Sequence, residues 1–564
     1  MSLITPETFT AEERELLSRY FTNLDGPVFA LVNLPEVVKG ALFARYSRSA
    51  SSRRLLFLDE FVGDLDVTGD TSLDATIGLK RAEDLYERVF SEYGDDSVAQ
   101  LGGVHLACEQ SSNLLTKVLE RGRLMSYLEQ STRYIPYDTR LDSGHYRYIR
   151  DPAILDSPLG ARYVGEMDRM FDTYGELLPL LKEYVQRRSP RADGVSTIAH
   201  RAAVRAACLA ALRGLLPAGC ISNVGIYGSG QSYEHLLLRM RAHPLPEARH
   251  YAELMMEELR KVIPSFLTRL ERAERGGVWV DYLRRNEEET NRVVEALWPR
   301  DVPQPGASVR LTSHDGDGED RVLAAICYEH SNLSESELQE RVASLSAEER
   351  SSLFAAYVGE RGNRRHHPGR AYEATSYRFD VVCDYGAFRD LQRHRLLSIE
   401  WQALGTDLGY EVPELIEEAE LADRYVESLE RSRALHDSLV KFFPEQCTYA
   451  VALAYNVRFS MEMNAREAMH LIELRSTPQG HPAYRRVATE MYRLIADEAG
   501  HHAIAASMSF VDLGESELGR LDAEQRAEAK SVGRRPRAKG DTAGRTGGGG
   551  GRSLRAVSPR RPAK

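Results

Sequence analysis

No Cys-x-x-Cys pair occurs in the chain, and its six cysteines, Cys108, Cys208, Cys220, Cys327, Cys383 and Cys447, are scattered along it. That spacing excludes a zinc ribbon and gives no disulfide framework; it fits reduced thiols in a large intracellular protein. Long apolar runs are also lacking: none approaches the ~20 residues that span a bilayer. The N-terminus, MSLITPETFTAEERELLSRYF, lacks the basic-then-apolar order of a signal peptide. A cytoplasmic location with no membrane contact is expected. Positive charge is in deficit, 73 Lys and Arg against 84 Asp and Glu, for a net charge of -11. This balance argues against whole-surface nucleic-acid binding and leaves room only for a local basic site.

What is present is a soluble globular composition, 42% hydrophobic and 28% charged over 564 residues. A chain of that length exceeds one hydrophobic core, and ~100–200 residues per domain predicts a few folded units. Thr10 and Glu13 form a capping box ahead of ERELLSRYF, whose Leu16, Leu17, Tyr20 and Phe21 share a face. Helices are also predicted over SSNLLTKVLERGRLMSYLEQSTRY, over ARYVGEMDRMFDTYGELLPLLKEYVQRR, and over STIAHRAAVRAACLAALRGLLPAGC, which stops at Pro217 and Gly219. Residues 299–320 turn rich in Pro, Gly, Ser and Asp and read as a linker between a first domain, 1–298, and a second, 321–520. Residues 521–564 end in a Gly/Arg/Pro tail with too few apolar residues to fold; it reads as disordered, with weak nucleic-acid tethering as its sharper alternative.

The chain repeats itself. LERGRLMSYLEQ at 119–130 is echoed without gaps by LQRHRLLSIEWQ at 391–402: Leu119, Arg121, Arg123, Leu124, Ser126 and Gln130 recur as Leu391, Arg393, Arg395, Leu396, Ser398 and Gln402. Downstream, QSYEHLLLRMRAHPLPEARHYAELM is echoed by REAMHLIELRSTPQGHPAYRRVATEM, with His235 answering His470. The order is the same in both halves, which implies tandem duplication with a helical insertion in the first copy near 150–190.

In the first copy Glu129, Ser131 and Arg133 alternate, which would place them on one side of an extended segment leaving the helix. Arg grips phosphate through paired hydrogen bonds, Ser is a short donor, and a carboxylate accepts from a base or ribose edge. The wet face of an edge strand reads the same way. An Arg-x-Arg pair upstream in both copies sharpens the anion reading, because adjacent guanidinium groups repel unless an anion or carboxylate lies between them.

RGRLMSYLEQSTRY and RHRLLSIEWQALGT both resemble the signature of flavin-dependent thymidylate synthases, Arg-His-Arg followed by Ser and then Glu-x-Ser-x-Arg-Tyr. The first copy has Gly122 for the histidine and keeps Glu129, Ser131, Arg133 and Tyr134. The second keeps Arg393, His394 and Arg395 but has Trp401, Ala403, Gly405 and Thr406 at the later positions. MNAREAMHLIELR is similar to the family's Asn-Ala-Arg helix, as Asn464, Arg466 and Arg475; the first copy has Ser229, Gln231 and Met240 there. RGLLP resembles the family's Arg-x-x-Leu-Pro element through Arg213, where the second copy has Thr448. The resemblance implies an α+β fold of two tandem domains of the thymidylate-synthase-complementing type, mainly helical with a small sheet in each.

It also implies reductive methylation of dUMP to dTMP, with FAD as cofactor and NADPH and methylenetetrahydrofolate as co-substrates. The Pro-Cys motif of the cysteine-dependent synthases is absent, in keeping with that chemistry. Arg475 and Arg213 would be catalytic, Glu129, Ser131 and Arg133 would bind substrate, and Arg393, His394, Arg395, Arg121, Arg123, Asn464, Arg466 and His470 would bind cofactor. Family members are homotetramers, so a tandem chain is expected to form a homodimer of four domains.

The losses are complementary, and predict one composite site built from the surviving half of each copy. A catalytically degenerate flavin- or nucleotide-binding scaffold, and modification of another pyrimidine nucleotide, are the competing readings. Di-iron pairs at Glu247/His250 and Glu498/His501 are disfavoured, since their places in the two copies do not match and two further glutamates are lacking; no metal is expected. GIYGSG at 225–230 is no dinucleotide fingerprint and is expected to loosen the first copy's helix start. NRRHHPGR at 363–370 is either a phosphate or folate lining or a solvated loop. It precedes AYEATSYRF, similar to a flavin-contacting segment with Ala374 for a histidine; YGDDSVAQLGG, with Asp96 and Gly102, is its counterpart.

Overall fold

The computed structural model describes residues 7–34, 42, 52–60, 103–191, 193, 195–298 and 308–514. The expected tail, most of the YGDDSVAQLGG segment including Asp96 and Gly102, and residues 299–307 lie outside them. Two four-stranded antiparallel sheets organise the chain. In the first, β1 (Val28–Ala30), β2 (Gly103–Ser112), β3 (Met125–Glu129) and β4 (Ile221–Ser229) stand in the order β1-β2-β4-β3. In the second, β5 (Val309–His314), β6 (Ser376–Asp384), β7 (Ser398–Trp401) and β8 (Asn456–Asn464) repeat that order. The registers agree as well: Ser126 lies opposite Tyr227 where its counterpart Ser398 lies opposite Glu462. Strand β5 begins inside the stretch expected to be linker, because Val309 and Leu311 alternate inward against β6.

Each sheet feeds helices of matched design. Ser112 and Asp384 cap the Asn113–Leu119 and Tyr385–Leu391 helices, accepting from Leu115 and Ala387 N–H. Ser229 and Asn464 cap the Gly230–Ala242 and Ala465–Arg475 helices in the same way. Residues 225–229 therefore end a strand, and the helix starts regularly at Gly230; no loosening is seen. The expected Thr10/Glu13 capping box starts Ala11–Ser18, which ends before Tyr20 and Phe21; the Gly160–Arg188 helix forms as its periodicity predicts, and the Thr197–Leu212 helix ends short of Pro217 in a tighter turn, Arg213–Leu215. The helix predicted over SSNLLTKVLERGRLMSYLEQSTRY does not: Ser111 and Ser112 end β2, a helix of seven residues follows, and 125–129 is β3. Apolar spacing there serves both a short helix and a strand, and pairing with β4 decides between them.

The two copies share one core, which includes Leu106 and Val224 from the first and Phe379 and Phe459 from the second. They meet along a short antiparallel bridge in which Pro217 lies opposite Ala452, its own counterpart in the other copy. Ala218 N–H donates to Val451 O (2.7 Å) and Leu453 N–H to Leu216 O (2.9 Å); Gly219 N–H donates to Tyr449 O (2.9 Å) and Ala454 N–H to Gly214 O (3.0 Å). Each bond is answered by its counterpart, so the copies are related by a local twofold axis at this bridge, as in an isologous dimer interface.

Candidate functional site between the copies

The same axis crosses the two Arg-x-Arg loops. Arg123 donates to Ser398 Oγ (3.0 Å), and its counterpart Arg395 donates to Met125 O and to Ser126 Oγ (3.3 Å). Arg121 pairs with Glu400 (2.8 Å) and lies over the Trp401 ring; its counterpart Arg393 faces Glu129, the residue matching Trp401, at 4.0 Å. The anion expected between the arginines is thus, in this fold, a set of acceptors supplied by the opposite copy. What differs is what lies beneath: an indole on one side of the axis and a buried carboxylate on the other.

Around that carboxylate a small cavity opens, lined by Glu129, Ser131, Arg133 and Arg213 from the first copy and Arg389, Asp390 and Arg393 from the second. Glu129 accepts from Arg389 (2.5 Å) and from Lys117 (3.2 Å), which is the counterpart of Arg389. Burial alone would push the Glu129 carboxyl up, but Arg389, Lys117 and Arg393 together hold it at about 2. Glu120, beside Lys117, is raised by burial.

Asp390 is the second hub. It pairs with Arg393 (2.5 Å) and Arg213 (3.4 Å), and its carbonyl accepts from Arg475 (2.5 Å). Burial raises its carboxyl, yet Arg393, Arg475, Arg213 and Arg133 hold it well below the usual range. Gly386 lets Arg213 lie against its helix: a Cβ there would stand 2.8 Å from Arg213 Nε. Arg133 donates to Tyr484 Oη (2.8 Å) and to the Gln479 carbonyl (2.9 Å), and Arg475 lies over the same Tyr484 ring. Among the described residues, Arg133, Arg213, Arg389 and Arg393 each keep a buried Nε–H with no acceptor. Four unanswered donors in one small space form a strong anion-recognition set.

A larger cavity of about 710 Å³ lies on the other side of the Arg-His-Arg loop. Asn464, Arg466, Glu467 and His470 from the second copy line it with Arg395 and His367, and Arg123 and Leu124 enter from the first. Leu124 and its counterpart Leu396 are 78% and 71% exposed, an apolar pair at a polar mouth. Arg466 donates to Pro368 O (3.0 Å), and His367 keeps a buried Nδ1 with no partner. His394 stands between the two cavities. Its Nε2 accepts from Arg475 Nε (3.0 Å) and its Nδ1 lies 3.1 Å from Glu467 Oε1.

The expected residues are therefore divided. Glu129, Ser131, Arg133, Arg213 and Arg393 share the small cavity, and Arg475 adjoins it through Asp390. Arg123, Arg395, Asn464, Arg466 and His470 share the large one, His394 bridges them, and Arg121 lines neither. The chain is extended only through Glu129; Ser131 accepts from Arg133 N–H in the turn that follows, so the alternation does not persist. The NRRHHPGR segment contributes His367 to the large cavity.

Sequence reasoning missed Lys117, Arg389, Asp390, Glu467 and Tyr484. Lys117 and Arg389 occupy matching positions two residues before the Leu-x-Arg-x-Arg echo begins, so the echo carried a signal; Asp390 matches Val118 and carried none. The di-iron pairs do not form a site: Glu247 accepts from Ser112 and Tyr449, His250 is exposed, and His501 bonds Tyr377. The one grouping with ligand spacing among the described residues is His394, Glu467 and His470. Its His394 Nε2 accepts from an arginine, whereas a metal-bound histidine donates from its free nitrogen; Glu467, His394 and Arg475 form a hydrogen-bond chain, and His470 meets His394 edge to face.

The model of the thymidylate synthase complementing protein family matches residues 46–265 and again 310–499, one match per copy. The chain belongs to that family. It is 38% identical over 525 residues to a UPF0159 protein of Chlamydia muridarum, covering 92% of this chain and 99% of the relative. A UPF0159 protein of Chlamydia pneumoniae is 38% identical over 527 residues, covering 93% of this chain and 98% of the relative. One of Thermoplasma acidophilum is 32% identical over 522 residues, covering 88% and 99%. These matches run through both copies. No helix among the described residues is long and apolar enough to cross a membrane.

Proposed function

We propose that the protein catalyses reductive methylation of a pyrimidine nucleotide, dUMP to dTMP, with methylenetetrahydrofolate as carbon donor, FAD as cofactor and NADPH as reductant. One observation carries this reading: the motif half that each copy lacks is supplied by the other, at a cavity lined by Arg133, Arg213, Arg389 and Arg393, each of which keeps a buried Nε–H with no acceptor. A nucleotide phosphate suits such donors, and Glu129 and Asp390 offset the mutual repulsion of the clustered guanidinium groups. Arg475, which donates to the Asp390 carbonyl at the edge of this cavity, would compensate charge developing on the pyrimidine.

The larger cavity fits a flavin dinucleotide by its chemistry. Arg123, Arg395 and Arg466 supply cations for a pyrophosphate, Asn464 and His470 supply polar groups, and Leu124 and Leu396 supply an apolar surface. Bound there, the flavin would supply hydride, which removes the need for a nucleophilic cysteine. Five of the six cysteines are buried, and burial pushes the Cys108, Cys208, Cys220 and Cys383 thiols up, away from the thiolate such a nucleophile needs. By the same reading the chain pairs as a homodimer of four domains in the cytoplasm.

The purified protein is expected to carry the visible spectrum of oxidised flavin. Arg133→Ala should lose dUMP and retain flavin, and Arg466→Ala should do the reverse. A colourless protein that takes up no FAD, or an Arg133→Ala variant with unchanged dUMP affinity, would sink the proposal. Complementation of a thymidine-requiring host separates dTMP synthesis from modification of another pyrimidine.

A further inference from the structure

The hydrogen-bond chain between the two cavities has a direction. An arginine Nε–H can only donate, so the bond from Arg475 Nε to His394 Nε2 (3.0 Å) requires a lone pair on Nε2. The neutral ring then carries its proton on Nδ1, and Nδ1–H donates to Glu467 Oε1 (3.1 Å). His394 is nearly buried and burial pushes it far below its ordinary value, with Arg475 adding to the effect, so the ring is neutral throughout. Asn464 holds the far end by accepting from the Glu467 N–H (2.9 Å), and Glu467 itself lines the large cavity.

We infer that Glu467 is a positioning residue for Arg475: as a carboxylate it locks His394 in the tautomer that holds the guanidinium, and on protonation it reverses the bond and releases Arg475. A protonated Glu467 donates to Nδ1, which moves the ring proton to Nε2. Nε2–H then faces Arg475 Nε–H, and two donors meet. The balance is one proton gained: Glu467 ends as the carboxylic acid, and the ring, neutral before and after, exchanges its Nδ1–H for an Nε2–H. The two cavities are thereby coupled, because a charge brought near Glu467 in the large one is felt at Arg475 beside the small one. This inference rests on the nucleotide reading of the small cavity only for its binding test.

The midpoint lies in an accessible range. Burial raises the Glu467 carboxyl to about 7, opposed by Arg466. The charged and titratable groups facing the chain are Arg466 and His470 on the same helix, Arg393, Asp390 and Arg475 beside His394, His367 and Arg364 from the 361–370 loop, and Glu373, which is already paired with Arg370 and Arg466. His367 and His470 are both lowered, by burial first and by nearby cations, so neither charges before Glu467 does.

The test uses the full-length protein, dUMP as probe, and the Glu467→Gln and Glu467→Leu variants. Gln carries no titrating proton, so its bond to His394 is the same at every pH. From pH 8 to pH 6, dUMP affinity of the parent should fall about tenfold more than that of Glu467→Gln, the loss expected for one released charged contact. Glu467→Leu should bind weakly at both. Because the phosphate of dUMP also titrates, the Glu467→Gln profile is the reference. Identical profiles in the parent and Glu467→Gln would overturn the inference. If dUMP binds none of the proteins, the nucleotide reading fails and the inference is judged by nitrogen-15 NMR of the histidine rings: a tautomer exchange with its midpoint near pH 7, present in the parent and absent in Glu467→Gln, sustains it, and an unchanging His394 signal overturns it.

Discussion

Replacing Glu129 by Gln tests how the two copies are joined at the small cavity. Glu129 accepts from Arg389 at 2.5 Å and from Lys117 at 3.2 Å, with Arg393 at 4.0 Å, and Lys117, Arg389 and Glu129 are all nearly inaccessible to solvent. Its loss leaves matched cations from both copies facing one another across the twofold axis. Removing one partner of a buried ion pair costs ~3–5 kcal/mol, because the remaining charge stays desolvated and unpaired. Titration leads to a similar figure. A carboxyl held at about 2 instead of 4.5 contributes roughly 3 kcal/mol at neutral pH, at ~1.4 kcal/mol per pKa unit. Since the folded value is depressed, that stability is present above pH 4.5 and is lost as pH falls from 4.5 through 2. Urea unfolding followed by circular dichroism should therefore show Glu129→Gln destabilised by about 3 kcal/mol at pH 7, with a gap that narrows at pH 3.5. Adding Arg389→Met should recover part of the loss by removing an unpaired charge. A penalty under ~1 kcal/mol at pH 7, or one independent of pH, would refute the account of Glu129 as the electrostatic joint.

Other expectations follow from single contacts. Gly219→Ala would set a Cβ 2.9 Å from the Tyr449 carbonyl oxygen at the bridge between copies, and should cost ~1–3 kcal/mol in a thermal melt. Trp401→Ala removes the ring under Arg121 and should cost about 1 kcal/mol, with dUMP and flavin titrations unchanged, because Arg121 and Trp401 line neither of the two cavities. Glu467→Gln should be more stable than the parent at pH 8 by ~1–3 kcal/mol. A carboxyl raised to about 7 contributes stability that is full below pH 4.5 and is lost as pH rises through 7, so the advantage should vanish near pH 4.5 in paired denaturation curves. Tyr484→Phe removes the hydroxyl that accepts from Arg133 and keeps the ring under Arg475; dUMP affinity should fall several-fold, measured by calorimetry, with flavin binding intact.

The duplication, the family and the complementary decay of the two motif halves were legible in the residues alone, because gapless echoes such as Leu-x-Arg-x-Arg-Leu survive in linear order. So were the helices whose periodicity is long and unambiguous, Gly160–Arg188 above all. The segment from Ser111 to Tyr134 was misread because seven helical residues and five strand residues carry too few turns to declare a period, and only pairing with β4 distinguishes them. Which residues share a cavity was likewise beyond the sequence. Arg393 and Arg395 are two residues apart, yet one turns to the Glu129 cluster and the other crosses to Met125 and lines the larger cavity. Asp390 gathers Arg213, Arg393 and Arg475 though its counterpart is Val118, so no echo announced it. A sequence records which side chains are available; the twofold packing at Pro217 and Ala452 decides which of them meet, since it brings the retained half of each copy against the other.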